Sequence, residues 1–329
     1  MARPIQMLRD GVKAGTLQLS NSADLEECIL PNLKRVLGSF VPTIHDHRGF
    51  ESSCRFAEIA WVKVRYLKWW VSTQDETPFP RRQELPRGSF YFCLPPDRCR
   101  RYVLSHAWDC QSHPSPSGGT YKRLMAILDA DGASMDDGIF LDYSSLNQRA
   151  RELPATLRPL REWTVAERRQ FSFAINEISR LYAFKKCRVV VVPQVDAVDS
   201  TRGIWGRDNQ TPYSQRGWCV MEFSCALYAN TIINLKDAAV QEVLRSRDWP
   251  RTVEDYQTMM DGTDVRFTST QQDANYVAYV FNKMCIDPRL DALPPKLQHR
   301  AATASKSGQN WRLAVPNIDP SYDSAVPGP

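Results

Sequence analysis

The chain predicts an α/β fold, a mainly parallel sheet with helices on both faces. Three observations carry that prediction. Between residues 100 and 235, short apolar runs alternate with amphipathic stretches of helical period, the signature of β-α-β units. The run Cys187–Val192 holds four consecutive valines, a composition suited to a strand buried on both faces and so to the centre of a sheet. Polar clusters follow the strand-like runs, at the strand ends where open parallel sheets bind ligands.

Residues 1–20 read as a flexible N-terminus and 21–89 as a helical extension with a linker. In the extension, Leu25, Ile29, Leu33, Val36, Leu37 and Phe40 share one helical face, with Pro31 near the start. A second helix is expected to carry Phe56, Ile59, Ala60, Val64, Leu67, Trp70 and Val71 on one face, with Lys63, Arg65 and Lys68 between them. Residues 72–89, rich in proline and charge, read as a linker or covering loop.

The α/β domain with a C-terminal strand-helix extension is expected over 90–287. Tyr102, Val103, Leu104 and Ser105 form its first strand. Thr120 is placed to cap a helix bearing Tyr121, Leu124, Met125, Ile127 and Leu128. Residues 139–141 are the second strand, and an Arg-rich excursion over 149–170 leads to a helix with Phe171, Ala174, Ile175, Ile178, Leu181 and Tyr182 in clean spacing. After the valine strand and a loop over 193–217 comes a helix over about 218–229, and Ile232, Ile233, Asn234 and Leu235 supply a fourth strand. This β-α-β-α-β-α-β order is flavodoxin-like. Val265, Arg266, Phe267 and Thr268 look like a further short strand, with Val277, Val280, Phe281 and Met284 in a closing helix. Residues 288–329, poor in large apolar side chains, read as a disordered tail.

Bulk properties narrow the function classes. Hydrophobic residues at 43% and charged residues at 24% argue against wholesale disorder and fibrous architectures. The net charge of +5, from 42 basic and 37 acidic residues, is too mild and dispersed to mark a nucleic-acid protein. Nine cysteines, an odd number in a long chain, point to reduced thiols. With neither a signal-peptide pattern nor a membrane-length apolar run, a cytoplasmic protein is expected. Cys93, Cys99, Cys110 and His113 lack the paired short spacings of structural zinc sites, so no metal is assigned.

Three strand-end clusters carry the candidate chemistry. The first strand ends in Ser105, His106, Ala107, Trp108 and Asp109; the second in Asp142 to Gln148; and Arg216, Trp218 and Glu222 open the helix after the third. A Ser105, His106, Asp109 relay is rejected, because three residues of one short loop do not reach triad geometry. Ser117, Gly118, Gly119 and Thr120 offer backbone N–H groups to a pyrophosphate, but lack the dinucleotide fingerprint and read better as a flexible turn.

Taken as a set, these blocks resemble the fungal heterokaryon-incompatibility (HET) domain and its relative, the Toll/interleukin-1 receptor (TIR) domain. Leu104 to Asp109 is similar to the HET strand end Leu-Ser-Tyr-x-Trp-Gly. Asp142 to Gln148 resembles its Cys-Ile-Asn-Gln turn, and Glu167 and Arg168 through Tyr182 the helix after it. Arg216 to Glu222 resembles Arg-x-Trp-Thr-x-Gln-Glu, while Trp218, Cys219, Val220, Met221, Glu222 and Phe223 match the plant TIR block Trp-Cys-Leu-x-Glu-Leu more closely. His106, the long excursion over 149–170 and the loop over 196–214 depart from the patterns.

The resemblance implies an intracellular signalling or defence protein that cleaves the nicotinamide-ribosyl bond of NAD, a substrate rather than a cofactor, with Glu222 as catalytic carboxylate. It also implies self-association as a switch. Ser105, His106, Trp108, Asp109, Asp142, Arg216 and Trp218 are the expected substrate-binding residues. An oxocarbenium-like ribose needs a nearby anion, and a place in the first turns of its helix would favour ionised Glu222. Each residue also has a bland reading: Glu222 as a solvated helix residue, Trp218 as a core anchor, Asp142 as a turn cap, Cys219 as packed and inert. The rival functions are a non-enzymatic interaction module and a nucleoside glycosyl-transferring enzyme.

Overall fold

The computed structural model describes residues 47–73, 78–110, 112–148, 164–198 and 209–250, then 255–256, 258–259, 262, 264–267 and 277. The chain divides into two compact units, Met1–Thr43 and Ile44–Pro329, and every described residue belongs to the second. The expected N-terminal segment over 1–20, the helix over 25–40, the closing helix beyond Val277 and the tail over 288–329 lie outside the described residues.

The fold is α/β, with strands β1 (Ala60–Lys63), β2 (Phe90–Phe92), β3 (Arg101–His106), β4 (Gly138–Phe140) and β5 (Cys187–Val192). They form one sheet in the order β2-β1-β4-β3-β5. It is mixed rather than mainly parallel: β3 runs parallel to β4 and β5, whereas β1 is antiparallel to both of its neighbours. The helices are α1 (His47–Phe56), α2 (Val64–Ser72), α3 (Gly119–Ala130), the single turn α4 (Asp142–Ser145), α5 (Val165–Ala183), α6 (Gly217–Ala229) and α7 (Ala238–Arg245).

The single helix expected to carry Phe56 through Val71 is in fact two helices around a strand. Glu58, at φ 49°, breaks the helical path after α1. Trp61 then points into one core, while Ala60 and Val62 point into the other. A strand packed on both faces leaves no polar stripe, so its apolar spacing is compatible with either period. The stretch expected as linker returns the chain to the same sheet. Phe79 within it is buried against Trp70 and Tyr121, with ring centroids 5.0 and 4.6 Å apart.

Alternation along β3 and β5 feeds the two cores. Val103, Val189 and Val191 pack toward α1, α5 and α6, while Tyr102, Leu104, Val190 and Val192 pack toward α2 and α3. The valine strand is buried on both faces, yet it is the last of the named strands and not the centre; β4 takes that place. The expected fourth strand is reduced to one bridge, Val189 with Ile232. Asn234 explains why: its side-chain amide accepts from Val191 N at 3.0 Å and donates to Val191 O at 2.9 Å, closing the edge that a longer strand would have covered. Of the strand expected over 265–268, the described residues 265–267 show a single bridge, Arg266 with Arg216.

Helix starts follow local chemistry. Thr164 and Glu167 form a reciprocal capping box before α5. Thr120 is not a cap: α3 begins one residue earlier behind Gly118, whose φ of 75° suits glycine, and Thr120 N donates to Ser115 Oγ at 3.2 Å. Among the described residues, no helix is long and apolar enough to cross a membrane.

Candidate functional site

Ser105 and Glu222 meet at the carboxyl end of β3. Alternation puts Ser105 on the same face as Val103, toward α6, and its hydroxyl donates to Glu222 Oε2 at 2.6 Å. The same hydroxyl lies 2.5 Å from Tyr213 OH. Tyr182, from α5, shares a hydrogen bond with Glu222 and donates to Leu104 O at 3.2 Å. Four polar side chains from four segments thus form one buried cluster. Residues 105 and 222 are brought together although they are far apart in the chain, which is the convergence expected of the strand-end blocks.

Glu222 differs from expectation in its charge. It is the sixth residue of α6, beyond the first turn where the macrodipole acts, and it is only 8% exposed. Burial raises its carboxyl from 4.5 to about 8, with the Ser105 hydrogen bond pulling down, the Asp142 charge pushing up and the Tyr182 hydrogen bond pulling down. Burial therefore favours the protonated acid in the resting protein. Buried titratable groups displaced this far gather at functional sites more often than elsewhere.

A second cluster, half-exposed, lies beside the first. Trp108 Nε1 donates to Asp142 Oδ2 at 2.7 Å, and the Tyr143 backbone N–H donates to Asp142 Oδ1 at 2.6 Å. The Trp108 indole meets the Tyr143 ring edge-on, at 5.7 Å between centroids. Arg216 holds the rim together by donating to Thr211 O at 2.7 Å, Asn209 O at 2.6 Å and Trp108 O at 2.5 Å. It is 6% exposed and serves the backbone. Trp218 is half-buried against the core. Cys219 is buried, its thiol donating to His106 O at 3.4 Å, and burial pushes its pKa well up, so it is packed and unreactive.

His106 takes the other side of the strand end. It is buried, its Nε2 atom has no hydrogen-bond partner, and burial lowers its pKa, the nearby Asp142 charge opposing and Arg216 reinforcing that shift. Asp109 points away from Glu222's cluster. Its Oδ1 accepts from Asp196 N at 2.9 Å, and burial raises its carboxyl to about 6. The glycine turn before α3 is held rather than loose, because the Asp196 carboxylate sits over it, paired with Arg123. A Cβ on Gly119 would lie 1.9 Å from Asp196 Oδ2, so this backbone approach requires glycine.

Of the expected site residues, Ser105 and Glu222 share one cluster, Trp108 and Asp142 another, and Arg216 braces the loops beside them. Two cluster members, Tyr182 and Tyr213, were not expected as site residues. Tyr182 is visible in the sequence as part of the α5 stripe, but nothing local distinguishes it from a core tyrosine. Tyr213 lies in the long loop, and only folding brings it back to β3. A cleft of about 370 Å³ lies elsewhere, between α1 and the connection from β2 to β3; the perturbed carboxyl and the motif blocks keep the β3 rim as the candidate catalytic site. No protein-family profile, curated protein or solved structure matches the chain.

Proposed function

We propose that the β3 rim hydrolyses the nicotinamide-ribosyl bond of NAD or a related nucleotide, with Glu222 as the reacting-centre carboxylate. The supporting observation is the 2.6 Å hydrogen bond from Ser105 to Glu222, which unites the first and third motif blocks around a carboxyl with a strongly raised pKa. The parallel half of the sheet, β4-β3-β5, is the flavodoxin-like part of this reading, and the HET/TIR resemblance is its source.

The resting acid is compatible with the chemistry because the substrate carries the missing charge. A bound pyridinium cation favours the ionised form of a neighbouring carboxyl. Glu222 then stabilises positive charge as it develops on the ribose. The C1′–N bond breaks with its electron pair going to the nicotinamide nitrogen, which neutralises the pyridinium. Water adds to C1′ and releases one proton. Ser105 and Tyr182 hold the carboxyl, and Asp142, itself oriented by Trp108, is available to a ribose hydroxyl.

Nicotinamide release is the test, measured for the purified chain at high concentration with a crowding agent. At subsaturating substrate, where the titration of the free enzyme governs, release should rise with pH toward a plateau above about 8, as Glu222 loses its proton, and it should vanish in Glu222→Gln. A second reading, a non-enzymatic interaction module, is favoured by Glu222 being 8% exposed. Absence of release from wild type across pH 6–9, with the fold intact by circular dichroism, would select that reading. Concentration-dependent sedimentation would then be its assay.

A further inference from the structure

The cluster at the end of β3 contains a hydrogen-bond chain whose direction follows from its members. Ser105 carries a single hydroxyl hydrogen and gives it to Glu222 Oε2 at 2.6 Å. The Ser105 oxygen lies 2.5 Å from Tyr213 OH, and with the serine hydrogen already committed the tyrosine is the donor. The chain therefore runs from Tyr213 through Ser105 to Glu222, both O–H dipoles pointing toward the carboxyl group. Each link polarises the next, the more so where water is excluded, and both Ser105 and Tyr213 are buried.

An ionised carboxylate only accepts, so it requires the chain in this direction. A protonated carboxyl is satisfied by either direction, because it has a hydrogen of its own to give Ser105. The Tyr213 hydroxyl therefore contributes more to the ionised form than to the acid. Of the four cluster members, Ser105 belongs to β3, Tyr182 to α5 and Glu222 to α6, whereas Tyr213 stands in the turn Tyr213–Gln215. Its ring packs edge-on against Phe223 at 6.2 Å between centroids, so packing holds the ring independently of the hydroxyl. Arg216 and Arg247 hold the turn, donating to Thr211 O at 2.7 Å and Ser214 O at 2.5 Å.

We propose that Tyr213 is a positioning residue: its hydroxyl donates to Ser105 Oγ, keeps the Ser105 hydrogen aimed at Glu222 Oε2 and thereby favours ionised Glu222, the form on which the NAD-cleaving reading of the rim rests. The titratable groups facing Glu222 are Tyr182 from α5, Tyr213 from the turn, Cys219 from its own helix and Asp142 from α4. Burial pushes the two phenols and the thiol well up, so they keep their protons where Glu222 loses its own, near pH 8.

Infrared difference spectra of the full chain test this without turnover. The protonated Glu222 carboxyl is the C=O band lost in Glu222→Gln, and its disappearance is followed from pH 6 to 10. The wild-type midpoint near 8 should rise by about half a unit in Tyr213→Phe, which removes only the hydroxyl. Ser105→Ala should raise it at least as far, and adding Tyr213→Phe to Ser105→Ala should raise it no further, because Tyr213 acts through Ser105. Incorporating 3-fluorotyrosine at position 213, a stronger donor of nearly the same shape, should lower the midpoint. At subsaturating substrate, the pH midpoint of nicotinamide release should move with the infrared midpoint in Tyr213→Phe. An unmoved midpoint in both Tyr213 replacements overturns the proposal, as does a wild-type Glu222 band that does not titrate in this range. A Tyr213→Phe shift that persists at full size in the Ser105→Ala background overturns it equally. Shifts of the expected sign in a protein that releases no nicotinamide would support the hydrogen-bond chain and overturn only the NAD reading.

Discussion

Replacing Glu222 with glutamine should stabilise the protein, and by an amount that depends on pH in a defined way. The carboxyl titrates near 4.5 when the chain is unfolded and at about 8 when folded. Below 4.5 both states are protonated, and the neutral amide brings no advantage. Between the two values the folded state keeps a proton that the unfolded chain releases, so wild-type stability falls as pH rises. At about 1.4 kcal/mol per pH unit, the deficit relative to Glu222→Gln is on the order of 3 kcal/mol at pH 7 and levels off near 5 kcal/mol above about pH 8. Glutamine preserves the acceptor for Ser105 and offers a donor in place of the acid proton, so packing and hydrogen bonds are retained. Urea unfolding of both proteins at pH 5.5, 7 and 8.5 reads the difference directly. A gap that stays constant with pH, or a variant less stable than wild type at pH 8.5, would refute a buried, protonated Glu222.

Ser105→Ala removes one hydrogen bond from Glu222 and another from Tyr213, so it should cost about 1–3 kcal/mol in chemical denaturation. Because the Ser105 bond lowers the Glu222 pKa, the same variant should move the pH midpoint of nicotinamide release upward. Arg216→Lys cannot serve three carbonyls with one planar fork and should lower stability by about 2–3 kcal/mol, read from thermal melting. Gly217→Ala places a Cβ 2.0 Å from the Phe267 ring; a loss of about 1–3 kcal/mol is expected, with recovery in the double variant Gly217→Ala, Phe267→Leu. Asn234→Leu unpairs Val191 on the β5 edge, so light scattering should show increased self-association on warming.

Periodicity makes much of the fold legible in the sequence. The α3 and α5 stripes and the β3, β4 and β5 runs each bury a face whose spacing is local, and a local pattern survives in a one-dimensional record. The strand-end clusters were visible for the same reason, since Ser105, Asp142 and Glu222 follow or flank those runs in order. What folding decided depends on partners distant in the chain. β1 hid within a helical stripe because burial between two cores erases the alternation that marks a half-exposed strand. β5 sits last among the named strands although it ends in four buried valines, because Asn234 and the segment beside it close its edge. The protonation state of Glu222 was equally beyond reach: the helix position alone favoured an anion, whereas desolvation by groups from β3, α5 and the Tyr213 turn favours the neutral acid. Desolvation is a property of the assembled neighbourhood, and no neighbourhood exists until the chain has folded.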